Sequence, residues 1–172
     1  MTPAASDLVS GLPYAPDDAQ PTPTPASLPY LMIPSIGLAE SILPIPVING
    51  NWDLSQLETH VGWLSTTGSH PGDTLAMAFI GHYTISAARQ GAFANLWHTQ
   101  LEDQVIYETG GLDYIYEIAS MLTIAPSDVK KLYVNDGRQL LLVTCANWDY
   151  LQFRYTNRLI VQAELVRQER AQ

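Results

Sequence analysis

The stretch LLLVTCANWDYLQFRYTNRLIV, residues 140–161, contains the only cysteine of the chain. Cys145 follows a run of apolar residues, and Arg158 begins a second apolar run, RLIV. Short apolar runs of this kind are typical of buried strands. The stretch therefore predicts a strand that ends at Cys145, a loop over residues 146–157 and a last strand that opens at Arg158. A lone thiol at a strand end is either a small core residue or a nucleophile.

The composition is that of an acidic, globular chain. It has 172 residues, of which 47% are hydrophobic, and this suits one domain with a sizeable core. The formal net charge is −9, and the few Lys and Arg residues are not clustered. Both features argue against nucleic acid as a partner and against tight binding to anionic lipid. No apolar run reaches the roughly 18 residues that span a bilayer.

Cysteine and histidine usage predicts neither a disulfide nor a metal site. One cysteine cannot form an internal disulfide. The four histidines show neither HExxH spacing nor a pair at i and i+4. They are His60, His70, His82 and His98. We therefore expect no metal and no cofactor.

Two segments of the chain differ in composition. Residues 1–28 are rich in Pro, Ala, Ser and Thr, and the sequence AQPTPTPASLP predicts an extended, polyproline-like segment. We interpret it as a flexible linker or stalk, either a disordered tail or a tether to a membrane anchor. Residues 29–172 contain about eight short apolar runs without regular strand–helix alternation. This pattern predicts one mainly β domain with few short helices and favours a closed or nearly closed β-barrel.

Local signals refine this picture. The run over residues 30–38 predicts a strand with a proline at an edge or bulge. Asp53 and Gln56 form a capping-box pattern that predicts a helix of one or two turns. Residues 84–98 are expected to form a longer helix or an ordered loop. Two β-rich runs flank Gly110 and Gly111, which predicts a hairpin turn at this dipeptide.

The thiol needs partners if it is a nucleophile. A thiolate is the reactive form, and it requires a nearby base or cation as well as donors for the oxyanion that forms on a carbonyl. His82 and Arg158 are candidates because each is predicted at a strand end beside a loop. Arg154, four residues before Arg158, competes for the oxyanion role. The residues alone leave the core and catalytic interpretations of Cys145 open.

Three fragments together resemble the sortases, which are bacterial cysteine transpeptidases. They are FIGH (79–82), LLVTC (141–145) and RLIV (158–161), and His82 precedes Cys145 by 63 positions while Arg158 follows it by 13. The family carries a TLxTC strand with a histidine and an arginine at similar spacing. Weaker echoes occur in the same order over about residues 30–166, in IPSIGL, VGW, PGD, FANLWHTQLED and IAPSDV.

The resemblance implies a sortase-type closed eight-stranded β-barrel over residues 29–172, with His82, Cys145 and Arg158 as the catalytic residues. It implies cleavage of an LPxTG-like sorting motif between Thr and Gly through a Cys145 thioester, with His82 protonated and Arg158 at the oxyanion. The acyl group then passes to an amine of a cell-wall precursor. Two alternatives are a pilin-polymerising sortase and an inactive peptide-binding barrel.

Substrate contacts are expected on the barrel wall beside the catalytic residues. The four candidates are Ile80, Val143, Thr144 and Trp148. The predicted loop 146–157 is aromatic, and it either folds its rings onto the barrel or forms one wall of a peptide groove.

Departures from the family pattern concern subtype and location. The loop LSTTGSHPGD (64–73) is nearly uncharged, so we expect no calcium requirement. Residues 1–28 lack the Asp-Pro-aromatic lid motif, which disfavours pilus assembly.

The expected partners are a sorting-signal peptide and a peptidoglycan-precursor or other amine acceptor. The expected location is the extracellular face of the bacterial membrane or the cell wall, with membrane attachment only through an N-terminal anchor outside these residues.

Overall fold

A computed structural model describes residues 27–172, and in this part of the chain eight strands close into a barrel. The predicted eight-stranded barrel is therefore confirmed. The barrel strands are β1 (Tyr30–Ile33), β2 (Leu38–Ile45), β5 (Val61–Leu64), β6 (Met77–Ile80), β9 (Gln104–Thr109), β10 (Leu112–Ile124), β11 (Gln139–Asp149) and β12 (Arg154–Arg170).

Short strands and 3₁₀ turns lie between the barrel strands along the chain. Two hairpin-like pairs lie outside it: β3 (Val47–Ile48) with β4 (Asn51–Trp52), and β7 (Thr84–Ser86) with β8 (Arg89–Gln90). The helices of the described residues are short 3₁₀ turns at Pro34–Ile36, Leu96–His98 and Val129–Leu132. The predicted linker over residues 1–28 falls almost wholly outside the described residues.

The strand order around the barrel is β1, β2, β5, β6, β11, β12, β10 and β9, which pairs again with β1. Two neighbouring pairs are parallel, β2 with β5 and β6 with β11, and the other pairs are antiparallel. Parallel pairing places the carboxyl end of β6 beside residues 143–145 of β11 at one rim of the barrel. That rim is where the sequence places His82 and Cys145.

Strand β11 is apolar on both faces because it is covered on both. Leu140 and Leu142 belong to the core cluster inside the barrel. Leu141 and Val143 belong to a second cluster outside the barrel wall, which the connecting segments cover. Alternation of side chains along a strand sends neighbouring residues to opposite faces. The unbroken apolar run is therefore the expected pattern for a doubly buried strand.

The predicted hairpin turn at Gly110 and Gly111 joins β9 to β10 and is confirmed. Both glycines have positive φ, at 59° and 75°. A two-residue turn with positive φ at both positions matches the twist of the flanking strands and strongly favours glycine.

Two local predictions are wrong, and a third is wrong in one of its two alternatives. Residues 30–38 are not one strand: Pro34 starts a 3₁₀ turn after β1, and Gly37 at φ 66° lets the chain reverse into β2. Asp53 accepts the backbone N–H of Ser55, as a helix N-cap would, but residues 55–59 form only turns and no helix follows. Residues 84–98 contain two short strands and one 3₁₀ turn, so the longer helix is wrong and the alternative of an ordered loop is closer to the structure.

The predicted loop over residues 146–157 is also wrong. Strand β11 continues to Asp149 and β12 begins at Arg154, so the turn covers only residues 150–153. The ladder continues through the pairs Ala146–Asn157, Trp148–Tyr155 and Asp149–Arg154. Aromatic residues at cross-strand positions pack on one another and extend the pairing. Ring-to-ring packing of Trp148 and Tyr155, with centroids 4.8 Å apart, is such a contact.

Candidate active site

Cys145 and Arg158 are direct partners across the antiparallel ladder of β11 and β12. Neither residue stands at a strand terminus, in contrast to the sequence prediction. Side chains of directly paired residues lie on the same face of a sheet, a few ångströms apart. Burial raises the pKa of the Cys145 thiol above its ordinary value, and the positive charge of Arg158 acts in the opposite direction. The pairing thus brings one cation to the thiol.

His82 is brought to the same rim by the parallel pairing of β6 with β11. The last paired residues are Ile80 and Val143, and two positions further along both chains stand His82 and Cys145. The chains remain joined past that pair, because the Gly81 N–H donates to the Val143 carbonyl at 3.1 Å. The Thr144 hydroxyl donates to the Gly81 carbonyl at 2.9 Å. These bonds fix the backbone of both residues just before the candidate catalytic pair.

The chain behind His82 holds it by close backbone packing. The Phe93 N–H donates to the His82 carbonyl at 3.1 Å. Gly91 approaches so closely that a Cβ there would lie 2.0 Å from the His82 carbonyl oxygen. Only glycine fits this contact. Sequence reasoning singled out neither Gly91 nor Phe93, because the close approach joins two sides of a turn and leaves no local pattern.

The immediate surroundings of His82 favour its neutral form. Burial lowers the pKa of the imidazole below its ordinary value, and a hydrogen bond to the Leu54 backbone opposes this to a smaller extent. Burial disfavours charge on both members of a thiol–imidazole pair. Burial therefore opposes a charge on both His82 and Cys145.

Two clefts open on either side of Cys145. The first, of about 630 Å³, is called here the arginine cleft. The second, of about 530 Å³, is called the aromatic cleft. Both clefts are lined by Cys145, Trp148 and Tyr155. Residues that line only the arginine cleft include Pro126, Gln152, Phe153, Arg154 and Arg158. Residues that line only the aromatic cleft include Tyr83, Trp97, Asn147 and Tyr150.

Trp148 and Tyr155 form the wall between the clefts. Their rings meet edge to face, and Tyr155 makes a second edge-to-face contact with Tyr83 at 5.7 Å between centroids. The hydroxyl of Tyr155 is 2.9 Å from that of Thr84 in β7, so the two hydroxyls share a hydrogen bond. Because three contacts hold the wall, it separates the two clefts as a fixed element.

A third, more apolar groove of about 230 Å³ adjoins the arginine cleft, with Pro126 and Arg158 common to both. Its lining includes Ile80 and Val143, two of the predicted substrate-contacting residues. Their side chains border the groove from the outer face of the barrel wall. The groove thus provides an apolar path that leads to Arg158.

The other two predicted substrate-contacting residues differ in location. Trp148 is 42% exposed and lies in the wall shared by both clefts. Thr144 is only 1% exposed, and its hydroxyl is bonded to the Gly81 carbonyl. Thr144 lines neither cleft, and its contact with a bound peptide stays a prediction. The structure gives Thr144 a positioning part between β6 and β11.

Arg154 and Arg158 both line the arginine cleft, but only Arg158 is paired with Cys145. Arg154 pairs with Asp149 at the far end of the ladder. Arg158 also donates from Nη1 to the Asn157 carbonyl at 2.9 Å, which restrains the guanidinium. The geometry therefore favours Arg158 for contact with a group bound at Cys145.

Within residues 27–172, no three His, Cys, Asp or Glu side chains are grouped closely enough to hold a metal ion. In the loop that the sequence linked to calcium, Asp73 accepts hydrogen bonds from Ser69 and Thr74, and these lower its pKa to about 2. The Asp73 carboxylate therefore accepts hydrogen bonds from residues of its own loop. Independence from calcium and from other cofactors stays a prediction.

Comparison with known proteins assigns the family. A model of the sortase domain matches residues 31–166. The chain belongs to the sortase family. No curated protein sequence matches the chain. The span matched agrees with the stretch of about 30–166 over which the sequence resemblance was seen.

Solved sortase structures share the fold of this sortase. Sortase C-3 of Streptococcus pneumoniae has a TM-score of 0.67 and 22% identity, covering 88% of this chain and 68% of that one. Sortase A of Corynebacterium diphtheriae has a TM-score of 0.67 and 24% identity, covering 83% and 61%. A Clostridium perfringens sortase D5 transpeptidase has a TM-score of 0.64 and 25% identity, covering 81% and 79%.

These three proteins carry different sortase class letters, and their TM-scores are nearly equal. The similarity therefore supports the fold without assigning a class. This sortase spans less than two thirds of the Corynebacterium diphtheriae chain. Among the described residues, no helix is long and apolar enough to cross a membrane.

Proposed function

We propose that this sortase is a cysteine transpeptidase in which Cys145 is the nucleophile, His82 the general acid and base, and Arg158 the oxyanion donor. One observation carries the proposal. The ladder that pairs Cys145 with Arg158 and the parallel ladder that leads to His82 meet at one rim of the barrel. Nucleophile, base and cation are the three components that thiol acyl transfer needs.

The reactive form is the thiolate of Cys145 with the imidazolium of His82. The pKa of the thiol is raised and that of the imidazole is lowered by burial, so this ion pair is the minor form of the free enzyme. The sequence-based expectation of a protonated His82 therefore applies to the reactive minority rather than to the resting majority. In the proposed catalytic pair, the two groups exchange a proton, so their titration belongs to the pair.

In the first half-reaction, the Cys145 sulfur attacks the carbonyl carbon of the scissile peptide bond. A C–S bond forms, and the oxyanion receives hydrogen bonds from the Arg158 guanidinium. His82 then gives its proton to the leaving nitrogen, and the C–N bond breaks. The products are an acyl thioester on Cys145, a neutral His82 and a free amine.

In the second half-reaction, an acceptor amine attacks the thioester carbon. The ammonium form of the acceptor first gives one proton to His82 and attacks as the free amine. Formation of the C–N bond is followed by loss of a second proton to water and by breakage of the C–S bond. The enzyme returns to Cys145 thiolate and His82 imidazolium, so the cycle closes without any added reagent.

The proposed donor is the sorting signal of a secreted protein, with an LPxTG-like motif cleaved between Thr and Gly. The apolar groove beside Ile80 and Val143 suits the leucine and proline of such a motif, since it leads to Arg158 and the adjoining arginine cleft. The proposed acceptor is an amine of a cell-wall precursor, and the proposed place of action is the outer face of the cell membrane.

The direct test is capture of the thioester. The purified chain is mixed with a library of sorting-motif peptides, and the intact protein is weighed by mass spectrometry. We expect an adduct with the mass of the acyl fragment on wild type and none on Cys145→Ala, with loss of at least about 100-fold in rate for His82→Ala. Adduct formation by Cys145→Ala, or peptide binding without any adduct on wild type, would contradict the proposal.

A further inference from the structure

The two clefts that meet at Cys145 differ in charge. The arginine cleft carries the guanidinium groups of Arg154 and Arg158. Of the described residues that line the aromatic cleft, none is Asp, Glu, Lys or Arg. Its lining presents aromatic rings instead, with Trp97 41% exposed and Tyr150 80% exposed. One thiol is therefore reached from a cationic side and from an uncharged aromatic side.

A transfer reaction uses both sides of its acyl carbon. The acyl fragment occupies one side throughout. The leaving amine departs from the other side, and the incoming amine must arrive there, because the tetrahedral intermediates of the two half-reactions have equivalent geometry. The Trp148–Tyr155 wall separates the two approaches to Cys145. Each cleft thus suits one of the two substrates.

We propose that the aromatic cleft is the acceptor subsite and that it binds the ammonium group of a primary amine on the faces of Trp97 and Tyr150. The inference rests on the proposed transpeptidase function and adds the location and the chemistry of acceptor recognition. The acceptor class is a primary amine whose neighbouring groups carry no charge, which matches the uncharged lining of the cleft.

Charge decides which cleft the amine enters. A primary amine is mainly an ammonium ion at neutral pH, and the guanidinium groups of Arg154 and Arg158 repel it from the arginine cleft. Aromatic faces attract ammonium ions, with Trp the strongest and Tyr next. The proposal places the bound amine near His82, because the chain neighbour of His82, Tyr83, lines the same cleft. His82 then takes the proton that must leave before attack.

Variants that keep or remove the π face separate this mechanism from simple apolar contact. Trp97→Leu and Tyr150→Leu keep apolar bulk without a π face, whereas Trp97→Phe and Tyr150→Phe keep a ring. Neither Trp97 nor Tyr150 belongs to the separating wall. We expect the KM for triglycine to rise about 3- to 10-fold in the Leu variants, and less in the Phe variants. The KM for the donor peptide should not move, and amide product relative to hydrolysis should fall.

Hydroxylamine provides a matched control nucleophile. It is small and mainly uncharged at neutral pH, so it needs no ammonium subsite to attack the thioester. Trapping by hydroxylamine should therefore proceed at the same rate in wild type and in the Leu variants. Equal loss of hydroxylamine trapping and triglycine transfer would mean that the variants damage the thioester site, and the acceptor assignment would be overturned.

A binding measurement tests the cleft without any catalysis. Tetramethylammonium cannot react, but it binds aromatic faces as an ammonium does. NMR titration of the wild-type chain should shift the Trp97 indole signal and leave the Arg154 signal unmoved. Tetramethylammonium should also compete with triglycine and leave hydrolysis of the donor peptide unchanged.

The outcomes separate the two proposals. Absence of a thioester with every sorting peptide overturns the proposed function, and the titration still decides on the ammonium site. A thioester that forms normally while Trp97→Leu leaves the triglycine KM unchanged overturns the acceptor subsite alone. Equal effects of Trp97→Leu and Trp97→Phe also overturn it, because the face of the indole would then not be the recognised feature.

Discussion

The hairpin formed by β11 and β12 has two halves of opposite character. In the inner half, every residue from Leu140 to Thr144 is at most 3% exposed. In the outer half, Tyr150, Leu151 and Phe153 are 78–93% exposed. The ladder that joins the strands runs through both halves without a break in register. The halves therefore share a backbone scaffold and differ in what surrounds their side chains.

The reactive thiol lies where the two halves meet. Burial on both faces of the inner half fixes the backbone up to Thr144, and Cys145 with Arg158 forms the next pair. Beyond that pair, Ala146 still belongs to the core, whereas Trp148, Arg154 and Tyr155 line the clefts. The division lets the clefts change in composition while the core holds the position of the thiol. Binding residues placed beside a rigid scaffold commonly show this arrangement.

The largest predicted effect contrasts Leu142→Ala with Leu151→Ala, which are the same substitution in the two halves. Leu142 is 0% exposed, so its truncation should lower the free energy of unfolding by about 2–5 kcal/mol through lost burial and a new cavity. Leu151 is 93% exposed, and its truncation should change that free energy by no more than about 0.5 kcal/mol. Denaturant unfolding followed by circular dichroism measures both.

The prediction would be contradicted if Leu151→Ala lowered the free energy of unfolding as much as Leu142→Ala does. Such a result would mean that the tip of the hairpin packs against the barrel in solution. Comparable m-values for wild type and both variants would show that each unfolds from a similar native state.

A smaller but still large effect contrasts Arg158→Ala with Arg154→Ala, two arginines of one strand and one cleft. Arg158 is the ladder partner of Cys145, so its loss should lower kcat by about 100- to 1,000-fold through loss of an oxyanion donor. Arg154 pairs with Asp149 and is further from the thiol along the strand. Arg154 is exposed, and its loss should change kcat by less than about threefold. Single-turnover thioester formation measures both.

If Arg154→Ala lowered kcat more than Arg158→Ala did, Arg154 would be identified as the oxyanion donor. Lysine at either position distinguishes charge from geometry, because lysine keeps the positive charge and loses the planar fork of the guanidinium. We expect Arg158→Lys to recover only part of the lost activity.

Residues 140–145 show why much of the fold could be predicted. The signal of a doubly buried strand is local, since Leu140–Val143 are consecutive apolar residues. The glycine pair at the β9–β10 turn is local as well. Closure of the barrel followed from the count of such runs and from the family resemblance. These features persist in the structure because local preference and burial favour the same conformation.

The outer half lacks a turn signal rather than a strand signal. Residues 146–150 and 151–156 alternate apolar and polar side chains, but the turn YLQF (150–153) contains no Gly, Pro, Asn or Asp, so the sequence does not separate the two segments that carry Trp148 and Tyr155. Their pairing depends on ring contacts across the ladder. The support of His82 by Gly91 depends equally on a contact between separate residues of a turn. Tertiary contacts of this kind determine local structure without leaving a local signal in the sequence.

The smallest predicted effect concerns the pH dependence of Cys145, which lies where the two halves of the hairpin meet. It tests how the surroundings of Cys145 set the pKa of its thiol. Burial raises the pKa of Cys145, so its thiolate should form at a higher pH than that of a free cysteine. Arg158 acts against this increase, and Arg158→Gln should therefore raise the pKa further. We expect the rate of alkylation by iodoacetamide at neutral pH to fall about 3- to 10-fold in this variant. The pH profile of alkylation, followed by mass spectrometry, measures the shift.

Arg154→Gln is the matched control for this pH profile, because Arg154 lines the same cleft but is not the ladder partner of the thiol. Its midpoint should stay close to that of wild type. The pKa of His82 is shifted in the opposite direction, so the imidazole loses its proton before the thiol does as the pH rises. A plot of kcat/KM against pH should consequently be bell-shaped. Its maximum should be low, because only a small fraction of the enzyme carries the Cys145 thiolate together with the His82 imidazolium. An alkylation midpoint below that of free cysteine would mean that charge outweighs burial at Cys145 and that the ion pair predominates at rest.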